Sequence, residues 1–371
     1  MQQHTITLRG TVPGTTHQLS VLRFGTPGRG PKATLQAALH ADEIPPLLVA
    51  QALRQRLEAL ERDGLILGEV QLVPFANPIG LAQDVLGTPQ GRFDLRDGVN
   101  FNRLHPDLTE VVDRAVGKTL GADPDANVRR IRAALREAVS ALTPRTPADD
   151  LKKQLVALAI DSDIVLDLHC DAQASMHLYA LTPQVELAEE LGALLGAEAV
   201  LLATESGDSP FDEACTRPWL VLQERHPAAA VPLACFGATV ELRGEADTSH
   251  TLAAQDADAL IKFLRLRGVV GGPAAPLPAP RCAPTPLAGS EPITAPAAGV
   301  VVFHREPGEW VEAGTVIADL VDIETGAVTP LACQGSGRLY ARAATRWARP
   351  GKRLAKIAGT TLARTGKLLS P

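Results

Sequence analysis

The stretch TLQAALHADEIPPLLVAQALRQRLEALERDGLILGEVQLVPF, residues 34 to 75, holds a strand, a helix and a second strand in succession. TLQAAL, residues 34 to 39, is a short apolar run, and Pro45 and Pro46 stand where a helix begins, since a missing N–H costs nothing in the first turn. The apolar-periodic LLVAQALRQRLEALERDG carries that helix to a stop near Asp63 and Gly64, and GEVQLVPF, residues 68 to 75, is the next strand. Strand, helix, strand in this order implies a parallel βαβ unit.

Outward from this unit the same grammar recurs. TITLRG and HQLSVLRFG, before it, read as short strands around the turn-prone VPGTT. After it, a long connection from Ile79 to Leu108 is rich in Gly, Asp and Asn, and loops of this length more often serve function than mere connection. LTEVVDRAVGKTL, DANVRRIRAALREAVSAL and ADDLKKQLVALAI follow as helices, and DIVLDLH, residues 163 to 169, is the continuous apolar run expected of a central strand covered on both faces. HLYALT, AVLLAT and a segment of VPLACFGATVEL, residues 231 to 242, are further strands, with the helices VELAEELGALLGA and SHTLAAQDADALIKFLRLRGVV among them.

Beyond residue 270 the texture changes. Residues 271 to 299 are dense in proline, alanine and glycine and read as a linker or extended edge chain. Residues 300 to 371 consist of short Val, Ile and Leu runs, with Pro-Gly turns at Pro307-Gly308 and Pro350-Gly351, and predict a small all-β domain with two related halves. The expected division is therefore 1 to 270, 271 to 299 and 300 to 371.

At 371 residues the chain is long enough for such a partition, and 45% hydrophobic with 21% charged residues is ordinary for a folded globular protein. The 36 Lys and Arg against 42 Asp and Glu give a net charge of -6, which provides no global field for a nucleic acid or an anionic membrane. The five cysteines, Cys170, Cys215, Cys235, Cys282 and Cys333, are scattered without a C-x-x-C pair, so reduced thiols are expected. The N-terminus lacks the basic start and apolar run of a signal peptide, and no stretch reaches about 18 uninterrupted apolar residues, so the expected location is the cytoplasm.

The chemistry gathers where strands end. His40 and Glu43 follow the first strand of the opening unit, His169 closes DIVLDLH, and Glu241 lies near the end of VPLACFGATVEL. In parallel α/β sheets ligands collect at the carboxyl ends of strands, and two imidazoles with one carboxylate form a catalytic zinc set that leaves a fourth position for a water made more acidic by the ion. His40, Glu43 and His169 fit that set as ligands for one Zn2+; taken singly, His40-x-x-Glu43 is also an ordinary turn, and His169 an ordinary hydrogen-bonded strand terminus.

Asp167, two residues before His169, shares its strand face and either accepts the second ring N–H or pairs with an arginine, and Asp171 competes for the first of these roles. Glu241 sits in apolar company, where a carboxylate needs a reason to be: a base for the water, or an ion pair with Arg243. Asn102 and Arg103, in GRFDLRDGVNFNRLHPDL, offer a neutral donor-acceptor and a planar cation for a substrate carboxylate. Arg92 and Arg96 on the same loop either clamp substrate or polarise the scissile carbonyl, unless they are simply solvated. His105, a His-Pro in a loop, reads as structural rather than as a fourth ligand.

Taken together, these motifs resemble the succinylglutamate desuccinylase and aspartoacylase family, a branch of the zinc carboxypeptidase superfamily. His40-Ala41-Asp42-Glu43 is similar to its His-Gly-x-Glu-like metal motif, Asn77-Pro78-Ile79-Gly80 to its Asn-Pro-x-Gly element, Asn102-Arg103 to its Asn-Arg pair, the His169 of LDLH to its third ligand, and the Glu241 of TVEL to its catalytic glutamate. The family's carbonyl-polarising arginine precedes the Asn-Arg pair, which makes Arg92 the counterpart and Arg96 the reserve as a substrate-binding group. Ala41 replaces a usual glycine without removing a ligand, and the arginine arrangement of the long loop departs from the more compact aspartoacylase pattern.

The resemblance covers roughly residues 30 to 270. It implies an α/β fold with a mixed central sheet and helices on both faces, while the tail resembles a biotinyl or lipoyl carrier fold without a lysine in a central hairpin turn. The implied activity is zinc-dependent hydrolysis of the amide bond of a small N-acylated amino acid or related carboxylate. The expected partner is a small carboxylate-bearing molecule, with neither nucleic acid nor membrane, and a homo-oligomer is compatible with the sequence. The rivals are a metallocarboxypeptidase acting on a peptide or peptidoglycan fragment, and a non-catalytic binding protein on the same scaffold.

Overall fold

The computed structural model describes residues 1–10, 13–273, 276–361 and 363–369, so Ala274 and Ala275 of the proline-rich stretch and Leu362, Ser370 and Pro371 of the tail lie outside the described residues, as do Thr11 and Val12. A nine-stranded sheet organises the larger part of the chain. Its strands are β1 (Gln2–Thr7), β2 (Gln18–Gly25), β3 (Lys32–Ala37), β4 (Glu69–Val73), β5 (Ile164–Asp171), β6 (His177–Leu181), β7 (Ala199–Ala203), β8 (Phe236–Gly244) and β9 (Thr285–Pro286). Their spatial order is β1, β2, β4, β3, β5, β8, β6, β7, β9. β3 runs parallel to β4 and β5, and β8 parallel to β5, whereas β6 is antiparallel to β8, so the sheet is mixed.

β5 is buried along all but its last residue because helices cover both faces. Its alternate side chains Ile164, Leu166 and Leu168 enter a core shared with the helices Pro45–Arg62 and His250–Leu266. Val165 enters a second core with the helices Thr109–Val116, Pro124–Ser140, Pro147–Ala159 and Phe211–Arg225. The period of two then places Asp167 and His169 on the Val165 face. The helix Phe211–Arg225 carries Pro218 in its interior, a breaker signal that its apolar packing around Trp219 and Leu222 overrides.

The C-terminal part forms two smaller sheets around their own apolar core, which includes Ile317, Leu339 and Ile357. Its halves match: Gly299–Phe303, Trp310–Val311 and Val316–Val321 repeat as Gly337–Arg342, Trp347–Ala348 and Arg353–Ala358. Each half lends its two-residue strand to the other, since Trp310–Val311 pairs with Gly337–Arg342 and Trp347–Ala348 with Gly299–Phe303. The proline-rich stretch is extended edge chain in part: Thr285–Pro286 adds to the large sheet, and Glu291–Thr294 adds to a small one.

The two parts are stitched together beside β5. Gln173 and Ala174 pair with Arg342 and Ala341, and Lys356 forms an ion pair with Asp171. Among the described residues no helix is long and apolar enough to cross a membrane.

Candidate metal centre and active-site cavity

His40 stands three residues beyond β3 on a turn that Ala38 enters at φ 57°, with Ala38 N–H held by the Leu168 carbonyl. Asn77 braces this turn: its Nδ2 donates to the Leu39 carbonyl at 2.9 Å while its Oδ1 accepts from Gly80 N–H at 2.8 Å. Gly91 touches the same turn so closely that a Cβ there would meet Asp42 N at 2.1 Å, which is why the loop needs glycine at that point. Ala41 is accommodated without a left-handed backbone.

The three expected ligands meet. Glu43 lies between the imidazoles, with His40 Nδ1 2.8 Å from its Oε1 and His169 Nδ1 2.9 Å from its Oε2, and the three ligand atoms fall within 4.8 Å of one another. Each histidine is fixed from behind: His169 Nε2 donates to Asp167 Oδ2 at 2.8 Å, and His40 Nε2 to Asn100 Oδ1 at 2.8 Å. Those bonds put the ring protons on Nε2 and leave both Nδ1 lone pairs aimed inward, the tautomer a metal requires. Two nitrogens and one carboxylate oxygen, all buried, fit a single divalent cation of the zinc type.

Of the two acids competing to brace His169, Asp167 does so, and Asp171 is engaged with Lys356. In the absence of an ion, burial alone would lower His169, but Asp167 and Glu43 outweigh it and raise its pKa well above the usual value.

Glu241 is paired in register with His169 on one side and His177 on the other. The ion pair that would have explained it is absent, because Arg243 binds Asp256 instead. Glu241 Oε2 is sealed from solvent with no hydrogen-bond partner, and burial together with Glu43 pushes the carboxyl up to about 8. Arg92 reaches the centre from the long loop, its Nη1 3.1 Å from His40 Nδ1 and 3.6 Å from Glu43 Oε1.

Arg103 is buried with Nη1 on the Asn102 carbonyl at 2.7 Å. Asn102 also faces the cavity, yet its side chain is spent internally: Oδ1 accepts from Phe211 N–H at 2.9 Å, and Nδ2 lies 3.5 Å from Asp167 Oδ2. The two groups expected to bind substrate beside Arg103 are placed differently. Asn102 is a brace more than a substrate ligand, and Arg96 is not brought to the cavity, because its guanidinium forks onto the neighbouring Asp94. His105 is buried against Phe211 and lies outside the ligand cluster.

His40, Glu43, His169, Glu241, Arg92, Asn102 and Arg103 open onto one cavity of about 310 Å³. Its far side comes from the C-terminal part, through Arg342, Arg353 and Lys356. Asp212, at the start of the helix Phe211–Arg225, lines it too, and burial together with Glu213 pushes its carboxyl up to about 7. Asn100 and Lys356 had no signal in the sequence, since each is defined by a partner far along the chain, and Asp212 had none because it is set by burial at the start of a helix.

A braced His, Glu, His cluster at the strand ends of a mixed α/β sheet, opening onto a small cavity with a buried glutamate and arginines, defines a metal-dependent hydrolase of the deacylase type. Residues 29–267 match the model of the succinylglutamate desuccinylase/aspartoacylase catalytic domain, and the chain belongs to that family.

A family protein from Shewanella amazonensis is 28% identical, with 96% of this chain and 98% of that one covered and a TM-score of 0.85. A second, from Shewanella frigidimarina, is 24% identical over 97% of each chain with a TM-score of 0.87. The product-bound ectoine utilization protein of Ruegeria pomeroyi shares the fold at 16% identity, with 97% of this chain and 95% of that one covered and a TM-score of 0.66. No curated protein matches the chain.

Proposed function

We propose that the protein hydrolyses the amide bond of a small N-acylated amino acid or related carboxylate. The observation that carries this reading is Glu241: a carboxylate with a sealed, unpartnered oxygen beside a braced His, Glu, His cluster has a reason to be there as a proton carrier. A divalent ion held by His40, Glu43 and His169 supplies Lewis acidity and makes a water more acidic. Glu241 takes a proton from the attacking water and delivers it to the leaving amine. Arg92, within 4 Å of the cluster, stabilises the oxyanion that develops on the former carbonyl. Arg103 grips the substrate carboxylate as a planar cation, and Asn102 positions Arg103 through its backbone carbonyl.

In this reading residues 1 to 270 are the catalytic domain, 271 to 299 the connection, and 300 to 371 a β domain that closes the far side of the cavity. That closure supports a small substrate over the peptide or peptidoglycan fragment of a carboxypeptidase, because a cavity of about 310 Å³ walled on that side by Arg342 and Lys356 suits a small molecule. Five unpaired thiols are consistent with our proposal of a cytoplasmic location.

The test is a screen of N-acetyl, N-succinyl and peptide substrates with zinc-loaded protein, with H169A as background. Hydrolysis of acyl amino acids above that background is expected. Turnover of peptides alone would establish the carboxypeptidase reading, and no turnover in any class would contradict an amidohydrolase.

A further inference from the structure

The face of the large sheet that carries the metal ligand His169 changes character from one strand to the next. Register places Glu241 of β8 beside His169, and Thr239, two residues earlier on the same face, beside Tyr179 of β6. Tyr179 and Leu181 then stand beside Leu201 and Ala203 of β7. Because side chains two apart share a face, His169, Glu241, Thr239, Tyr179, Leu181, Leu201 and Ala203 all look into the same cavity, and all but the first three form an apolar wall. Leu287 and Leu369 meet that wall, packing with Tyr179, Leu201 and Ala203 in one apolar cluster. At one strand spacing of about 4.8 Å each, the wall starts roughly 10 Å from His169 and extends to roughly 14 Å.

The charges around the cavity argue in the same direction. Lys356 and Arg342 are each already paired with a carboxylate, Asp171 and Glu306 respectively. Asp212 faces the cavity at 7% exposure, within the field of the Arg103 guanidinium. Arg353 donates to the Leu368 carbonyl at 3.4 Å, so a second substrate carboxylate would have to compete with Asp171, Glu306 or that carbonyl for cations that are already engaged.

We infer that the apolar wall of Tyr179, Leu181, Leu201 and Ala203, closed by Leu287 and Leu369, selects substrates that carry one carboxylate and an extended apolar group, and disfavours dicarboxylates. This rests on the amidohydrolase reading for its chemistry. The apolar group is either the acyl chain or the amino-acid side chain, and two substrate series separate these sources.

The experiment measures kcat/KM of the zinc-loaded enzyme for N-acetyl- through N-hexanoylglycine, for N-acetylglycine through N-acetyl-L-norleucine, and for N-acetyl-L-aspartate. One of the two series rises by about fourfold per methylene, following the transfer free energy of a buried CH₂, until the wall is covered, and N-acetyl-L-aspartate is the poorest substrate. L369S and A203S flatten the rising series while leaving zinc content unchanged. Two flat series, a preference for N-acetyl-L-aspartate, or a rise that neither variant reduces would overturn the inference. If no amide is cleaved, the parent reading fails while this one is still measurable: calorimetric Kd values of acetate through hexanoate on the zinc-loaded protein keep the inference if they fall stepwise and overturn it if they do not.

Discussion

The cavity has two sides made by different means. The metal side is built from strand ends, where His40, Glu43 and His169 are delivered by β3 and β5, neighbours in the sheet whose parallel register fixes the ligands' relative height. The opposite side arrives from the C-terminal β region, where Lys356 reaches Asp171 across 185 positions of chain and a two-residue strand, Gln173–Ala174, is the seam. The first side is positioned by regular secondary structure and buried polar bonds. The second depends on docking of one apolar core against another, so it is the side on which relatives can differ without losing the chemistry.

If this contrast is correct, changes on the metal side remove turnover and changes on the far side alter which molecules are turned over. E241Q gives the largest effect: kcat falls by about 10²–10⁴-fold, the range for loss of a positioned proton carrier, while zinc stays stoichiometric. Loss of zinc in E241Q would mean that the residue is structural. D167N acts one layer out. It weakens the acceptor that orients His169, and zinc affinity measured by competition with a chelator drops by about 10–100-fold. An unchanged affinity would show that the strand suffices to hold the ring.

K356M has the smallest effect on chemistry. It leaves Asp171 without its partner in a partly exposed pair, so KM changes while kcat on the best substrate and zinc content hold. A loss of kcat as large as that of E241Q would make the C-terminal β region part of the catalytic apparatus.

The same contrast explains how much could be read from the residues alone. The βαβ unit of residues 34 to 75 was legible because its prolines and apolar periods are local signals, and so was DIVLDLH as a central strand. His40, Glu43 and His169 were legible because strand ends gather in one place whatever the loops do. Asp167 was legible from the two-residue period. Asn100 was not, because its bond to His40 spans 60 positions and nothing in GVNFNR distinguishes it from Asn102. The direction of Arg96 was not legible, because a loop conformation, with Asp94 two residues away, decides where a guanidinium points. The helix Phe211–Arg225, with Asp212 at its start, was hidden behind Pro218, which argues locally against a helix that the second core nevertheless stabilises.

The central claim is that His40, Glu43 and His169 hold one catalytic divalent ion, and elemental analysis joined to activity tests it most directly. The purified protein is expected to carry about one zinc per chain, to lose hydrolysis of its acyl amino-acid substrate on chelation, and to regain it when zinc is returned, whereas H40A does none of these. Full activity in metal-free protein, or equal zinc content and turnover in H40A, would contradict the account.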